Sequence, residues 1–202
     1  MLTSPPIGMV ETTKTLSLFH LAGQTDQRGR ALTSYIEQVV ETTKRIEKEA
    51  IFAKPLVLAA AWGHPLLSHS FIDEEDLERF FLGSATALIH MIKEINWKAF
   101  LPWSPGDPLS NVHKEYLIDS MIDSSPGAFT IQLAILNDAI DSLPLDKPQL
   151  SRFDVGVKEA KIHEEVINKV AMKRSFQGSM RIPHLHQLEL LLDKIETFKR
   201  KV

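Results

Sequence analysis

The chain has 202 residues, of which 44% are hydrophobic and 24% charged, with a formal net charge of -3 and no cysteine. That length and composition suit one globular domain with a sizeable core and exclude wholesale disorder. The missing cysteines remove disulfides, thiolate nucleophiles and thiolate zinc sites, and the small negative charge means that nucleic acid or anionic lipid would need a local basic patch.

Pro5 and Pro6 predict a flexible arm over residues 1–10, followed by a single helical domain over 11–202. A helix is expected from Glu11 to Ala22, stopped by Gly23. From Asp26 to Ala53, apolar or small residues recur at Leu32, Ile36, Val39, Thr43, Ile46 and Ala50, alternating steps of four and three along one helix face. The longest apolar run, Leu56 to Trp62, is a core segment, far short of the roughly 20 residues that span a bilayer. Asp73 is placed to cap a helix from Glu74 to Asn96 whose stripe is Leu77, Phe81, Ala85, Leu88, Ile92 and Ile95. Further helices are expected from Ser110 to Asp123, from Ser125-Pro126 to Leu143, and from Asp154 to Arg174. After a break at Gln177-Gly178-Ser179, a separate final helix carries Leu188, Leu191, Leu192, Ile195 and Phe198 on one face. No alternating pattern proposes a strand pair, so the fold class is all-α, a bundle of about six to eight helices.

The motif search is mostly negative. The chain lacks a phosphate-loop GxxxxGK[ST], a GxGxxG turn, a GxSxG elbow, HExxH and an EF-hand loop, and no helix-turn-helix with a basic recognition helix opens it. No cofactor is expected.

Three groups of residues remain as candidates. Trp97, Phe100 and Trp103 lie in a segment stiffened by Pro102, Pro105 and Pro108, where large aromatics suit a protein partner or close one end of the bundle. Glu159 and His163, four apart on one helix face, with His184 at the start of the last helix, are an alternative metal set. His184 and His186 could share an ion only if the helix began after them, because residues two apart point about 200° apart. His64 and His69 flank Pro65 in an expected loop, as surface residues, further metal ligands or an acid–base pair. Finally, residues 156–202 hold ten Lys or Arg against six Asp or Glu. Lys169, Lys173, Arg174 and Arg181 are a candidate phosphate-contacting patch, set against an ordinary solvated helix face.

On this basis the expected function is a non-enzymatic, cytoplasmic protein–protein interaction module, with a protein partner and a possible homo-oligomer. The alternatives are a helical-bundle metal-dependent enzyme or ligand-binding protein using histidines and carboxylates, and a nucleic-acid-associated protein binding through its basic carboxy-terminal region.

Overall fold

The structure is a computed structural model and describes residues 8–26, 29–49, 55–95, 111–143 and 150–201, with the side chains of residues 49, 111–113 and 150–155 left aside. Among the described residues there are ten helical segments and one isolated antiparallel bridge, Thr25 with Ala31. The all-α expectation holds. No helix among them is long and apolar enough to cross a membrane.

Helix α1 (Met9–His20) starts two residues earlier than expected, and Met9 is buried, so the end of the expected arm belongs to the fold. Between α1 and α2 (Leu32–Glu49) the chain makes a tight loop rather than helix. Gly29 has a φ of 78°, and the Asp26 side chain accepts from the Arg30 backbone N–H at 2.9 Å, closing the turn before α2 begins. The α2 stripe then behaves as its spacing predicts: Leu32, Ile36, Val39, Thr43 and Ile46 are all buried. Ala50 and Ala53 lie outside the described residues.

The apolar run is helix α3 (Pro55–Gly63), which packs on α1, α2 and α6. It passes so close to α1 that a Cβ at Gly63 would lie 2.9 Å from Thr13 Cγ2. The Ser17 hydroxyl donates to the Trp62 carbonyl at 2.7 Å across the same contact. A single turn, α4 (Leu66–His69), follows.

The helix expected over Glu74 to Asn96 is two helices, α5 (Glu74–Phe80) and α6 (Thr86–Ile95). Asp73 caps α5 through a reciprocal box with Asp76. The break falls at Leu82 and Gly83, both with positive φ, at 52° and 78°. The stripe survives the break, because Leu77, Phe81, Ala85, Leu88, Ile92 and Ile95 are all buried. Periodicity located the inward residues without detecting the turn that interrupts them. That split and the single-turn α4 raise the helix count above the expected six to eight.

Helix α7 (Asn111–Asp123) leads to α8 (Pro126–Asp141), which Pro126 opens at its first turn with the Ser125 hydroxyl accepting from the Ala128 N–H. Helix α8 is the central element. Eleven consecutive residues, Ala128 to Asp138, are buried, and α2, α3, α6, α9 and α10 pack around it. Helices α9 (Leu150–Phe176) and α10 (Ile182–Lys201) form an antiparallel pair over α7 and α8. Gly178, with a φ of 67°, ends α9 in a left-handed turn in which the Ser179 N–H donates to the Arg174 carbonyl at 3.0 Å.

A candidate ligand site where three helices meet

The start of α2 and the ends of α3 and α8 bring ionisable side chains together. Arg30 is the centre. Its guanidinium donates from Nη1 to Asp138 Oδ1 at 2.8 Å and from Nη2 to Asp138 Oδ2 at 2.7 Å, a fork-on-fork geometry across 108 residues of sequence. Nε donates to Asp26 at 3.1 Å and Nη1 also to Gln38 at 3.1 Å. The guanidinium lies 5.1 Å from the Tyr35 ring centroid. The hydrogen bond to Asp138 holds the Arg30 proton more firmly than usual, against the opposing effect of burial. The Arg30 side chain is 28% exposed and that of Asp138 5%, so the cluster opens to solvent on the arginine side.

Behind Tyr35 sits His64, which is buried at the end of α3 and is not the loop residue expected from its neighbour Pro65. Burial lowers its pKa to about 4, outweighing the Ala61 hydrogen bond, and His69 lowers it further. The imidazole is therefore neutral at pH 7. Its Nδ1–H donates to the Ala61 carbonyl at 2.8 Å, which leaves the Nε2 lone pair 3.3 Å from the Tyr35 hydroxyl as acceptor. His69 lies on α4 with Nδ1 3.0 Å from the Ser68 hydroxyl.

On the other side of α8 a second polar cluster is wholly internal. The Thr130 hydroxyl donates to Glu47 Oε1 at 2.8 Å and accepts from His184 Nε2 at 2.9 Å. His184 also meets the Phe129 ring edge to face at 5.0 Å. Burial first, then the charges of Arg181 and Arg174, lower its pKa to about 4. Arg174 is 1% exposed, donates from Nη1 to the carbonyls of Met121, Ile122 and Ser124 at 2.8 to 3.0 Å, and stacks 4.0 Å from the Phe129 centroid. It caps the carbonyl end of α7 from inside the core.

These placements test the sequence candidates. Arg174 is buried and committed to α7, Lys169 is paired with Glu115 and Glu165, and Lys173 lies 3.9 Å from Asp119. Of the expected basic patch, only Arg181 is exposed without an ion pair among the described contacts. The metal set does not assemble. Helix α10 begins before His184 and not after it, so His184 points into the core while His186 is exposed, and Glu159 and His163 remain on α9. Among the described residues no three His, Asp or Glu side chains are placed to hold a metal ion. Trp97, Phe100 and Trp103 lie outside the described residues.

Sequence reasoning passed over Arg30, Tyr35, Gln38 and Asp138. The one local signal was the Asp26–Arg30 spacing ahead of the α2 stripe, and nothing local connects Arg30 to Asp138.

No protein-family model and no curated protein matches the chain. A solved structure does. It is described as a metazoan ortholog of SpoT that hydrolyzes ppGpp and plays a role in starvation responses, and it is 19% identical to this chain. The match covers 98% of both chains with a TM-score of 0.63. The expectation of a non-enzymatic interaction module is corrected by this finding: it rested on the absence of a phosphate loop, a nucleophile motif and a specific metal motif, and over nearly its full length the chain has the fold of a protein that hydrolyzes ppGpp.

Proposed function

We propose that this chain recognises a multiply phosphorylated nucleotide of the ppGpp kind on a hydrolase-type helical fold, with the Arg30 junction as its site. The observation that carries the reading is the full-length structural likeness to a protein described as hydrolyzing ppGpp. The junction supports it: there the turn before α2 holds a partly exposed guanidinium, paired with Asp138 of α8, against the buried Tyr35 ring, and the buried neutral imidazole of His64 stands behind that ring.

Arginine suits such a ligand because its planar fork matches two phosphate oxygens. In the ligand-free protein Asp138 and Asp26 occupy that fork and keep Arg30 aimed. An incoming phosphate takes over part of the fork, and the tyrosine beneath holds the guanidinium plane in place. The neutral imidazole of His64 adds no positive charge at pH 7 and instead fixes the Tyr35 hydroxyl. Both carboxylates are hydrogen-bonded to Arg30, so the junction supports ligand recognition more directly than it supports turnover. Residence in a reducing compartment such as the cytoplasm, which a cysteine-free chain fits, belongs to the same reading.

Calorimetric titration with ppGpp and with GTP tests binding, and phosphate and pyrophosphate release tests hydrolysis, each with and without added magnesium or manganese. Saturable ppGpp binding is expected, weakened about tenfold or more by Arg30→Ala, and Arg30→Lys should recover little because it keeps the charge but loses the fork. Folded protein that neither binds nor hydrolyses ppGpp under any of these conditions would refute the reading.

A further inference from the structure

The exposed large apolar side chains are not scattered. Nine are found among the described residues, and seven fall in two short segments: Phe71, Phe80 and Leu82 around α5, and Met172, Phe176, Ile182 and Leu185 where α9 turns into α10. Phe71, Leu82, Phe176 and Ile182 are 103, 94, 96 and 85% exposed. Exposed singletons are normal, but clusters of this kind mark contact surfaces.

The two clusters carry opposite charge. Around α5, Asp73, Glu74, Glu75, Asp76 and Glu78 stand against Arg79 alone. From Val166 to Leu188 there is no Asp or Glu, and the segment holds Lys169, Lys173, Arg174 and Arg181. Arg174 turns inward, Lys169 is held by Glu115 and Glu165, and Lys173 lies 3.9 Å from Asp119, so among the described contacts Arg181 is the exposed cation without an ion pair beside the apolar tip. On the acidic face, Glu74 meets Lys93, and Glu75 and Asp76 share Arg79, which leaves the surplus negative.

Each cluster is also held in shape. The tip is rooted by Arg174 in the carbonyls that end α7 and by the left-handed turn at Gly178, so little ordering is needed on contact. On the acidic face Leu82 is held at a φ of 52°, a left-handed conformation that strains a bulky residue, and its side chain points almost wholly into solvent. Burial within this chain does not explain that conformation.

We propose that the α9–α10 tip of one copy of this chain docks on the α5 face of a second copy, head to tail. Apolar matches apolar and basic matches acidic in this arrangement, whereas tip against tip or face against face would oppose like charges. Because the two surfaces differ, a dimer keeps one of each open, and association continues into a ring or a chain.

The test is sedimentation velocity from about 1 to 200 µM, the range in which a modest interface shows itself. Wild type should shift from the 22.8 kDa monomer to larger species as concentration rises, less so at high salt. Phe71→Ser/Leu82→Ser removes the face and Phe176→Ser/Ile182→Ser removes the tip. All four side chains are exposed, so melting temperatures should stay close to wild type. Each double variant alone should remain monomeric, and an equimolar mixture should form a one-to-one dimer that grows no further, since one variant keeps the tip and the other the face. The proposal is overturned if wild type stays monomeric throughout, if either variant still self-associates, or if the mixture does not pair. Wild-type monomer that sediments with phosphatidylserine vesicles and loses this with the tip variant would assign the tip to an anionic lipid surface instead.

Discussion

Arg30 and Arg174 both lie against α8, one at the rim of the bundle and the other inside it, and opposite chemistry holds them. Arg30 faces a bidentate carboxylate, a second carboxylate and solvent. Arg174 has no carboxylate partner among its described bonds and rests on three neutral carbonyls and an aromatic face. Burial lowers the Arg174 pKa, whereas the Asp138 hydrogen bond raises that of Arg30. A buried cation without a hydrogen-bonded carboxylate is tolerable only where the ends of helix dipoles and π electrons replace water, and a guanidinium enclosed in this way is out of a ligand's reach. The rim arginine keeps a displaceable set of partners. That difference makes Arg30 the recognition candidate and Arg174 a structural pin.

Arg174→Ala should have the largest effect, about 4 kcal/mol lost in urea denaturation, because it empties a buried site and leaves three carbonyls at the end of α7 without their donor. A loss below about 1 kcal/mol would mean that the end of α7 does not depend on it.

Acid should act next, through the two buried histidines. His64 and His184 are both held near pKa 4, below the unfolded value of 6.5, so the unfolded chain binds more protons between those limits. Stability should be full above about pH 6.5 and fall toward pH 4, by about 3 kcal/mol for each histidine. His184→Gln, which keeps a donor for Thr130, should flatten its share of the slope between pH 7 and 4. An unchanged slope would show that His184 titrates normally.

Arg30→Ala should cost less, about 2 kcal/mol, because the side chain is partly solvated even though Asp138 is left behind. Salt sharpens the contrast: at about 1 M the Arg30–Asp138 coupling measured by a double-mutant cycle should shrink, and the Arg174→Ala loss should not. Equal salt dependence would erase the distinction between rim and core. Leu82→Gly, away from both clusters, should give the smallest effect, a gain of roughly 0.5 kcal/mol as relief of the left-handed strain exceeds the added chain entropy.

The buried faces of α2, α5 and α6 were readable in the sequence because burial imposes a period on neighbouring residues. Leu32, Ile36 and Val39 announce one side of a helix whatever that side meets. The site was not readable, because Arg30 and Asp138 meet only after the six described helices α2 to α7 have formed between them. Arg174 shows how composition misleads. In a run with Lys169 and Lys173 it counts as one more surface cation, and only the docking of α9 on α7 turns it inward. The stripe over Glu74 to Asn96 misled in the opposite way, since its period runs from Phe81 to Ala85 across Leu82 and Gly83, where the backbone has already turned.

The pairing of α2 with α8 also sets an order of events at the ribosome. Roughly ninety residues separate the end of α2 at Glu49 from the end of α8 at Asp141. At about 5 to 20 residues per second, α2 waits roughly 5 to 20 seconds for the helix that covers much of its apolar face. Helix α3 arrives first and packs on both α1 and α2, so Leu32, Ile36 and Val39 are partly shielded during the wait by a nine-residue helix of almost uninterrupted apolar character. An otherwise featureless run, Pro55–Gly63, thus acts as a temporary partner for the nascent chain before it becomes a permanent one.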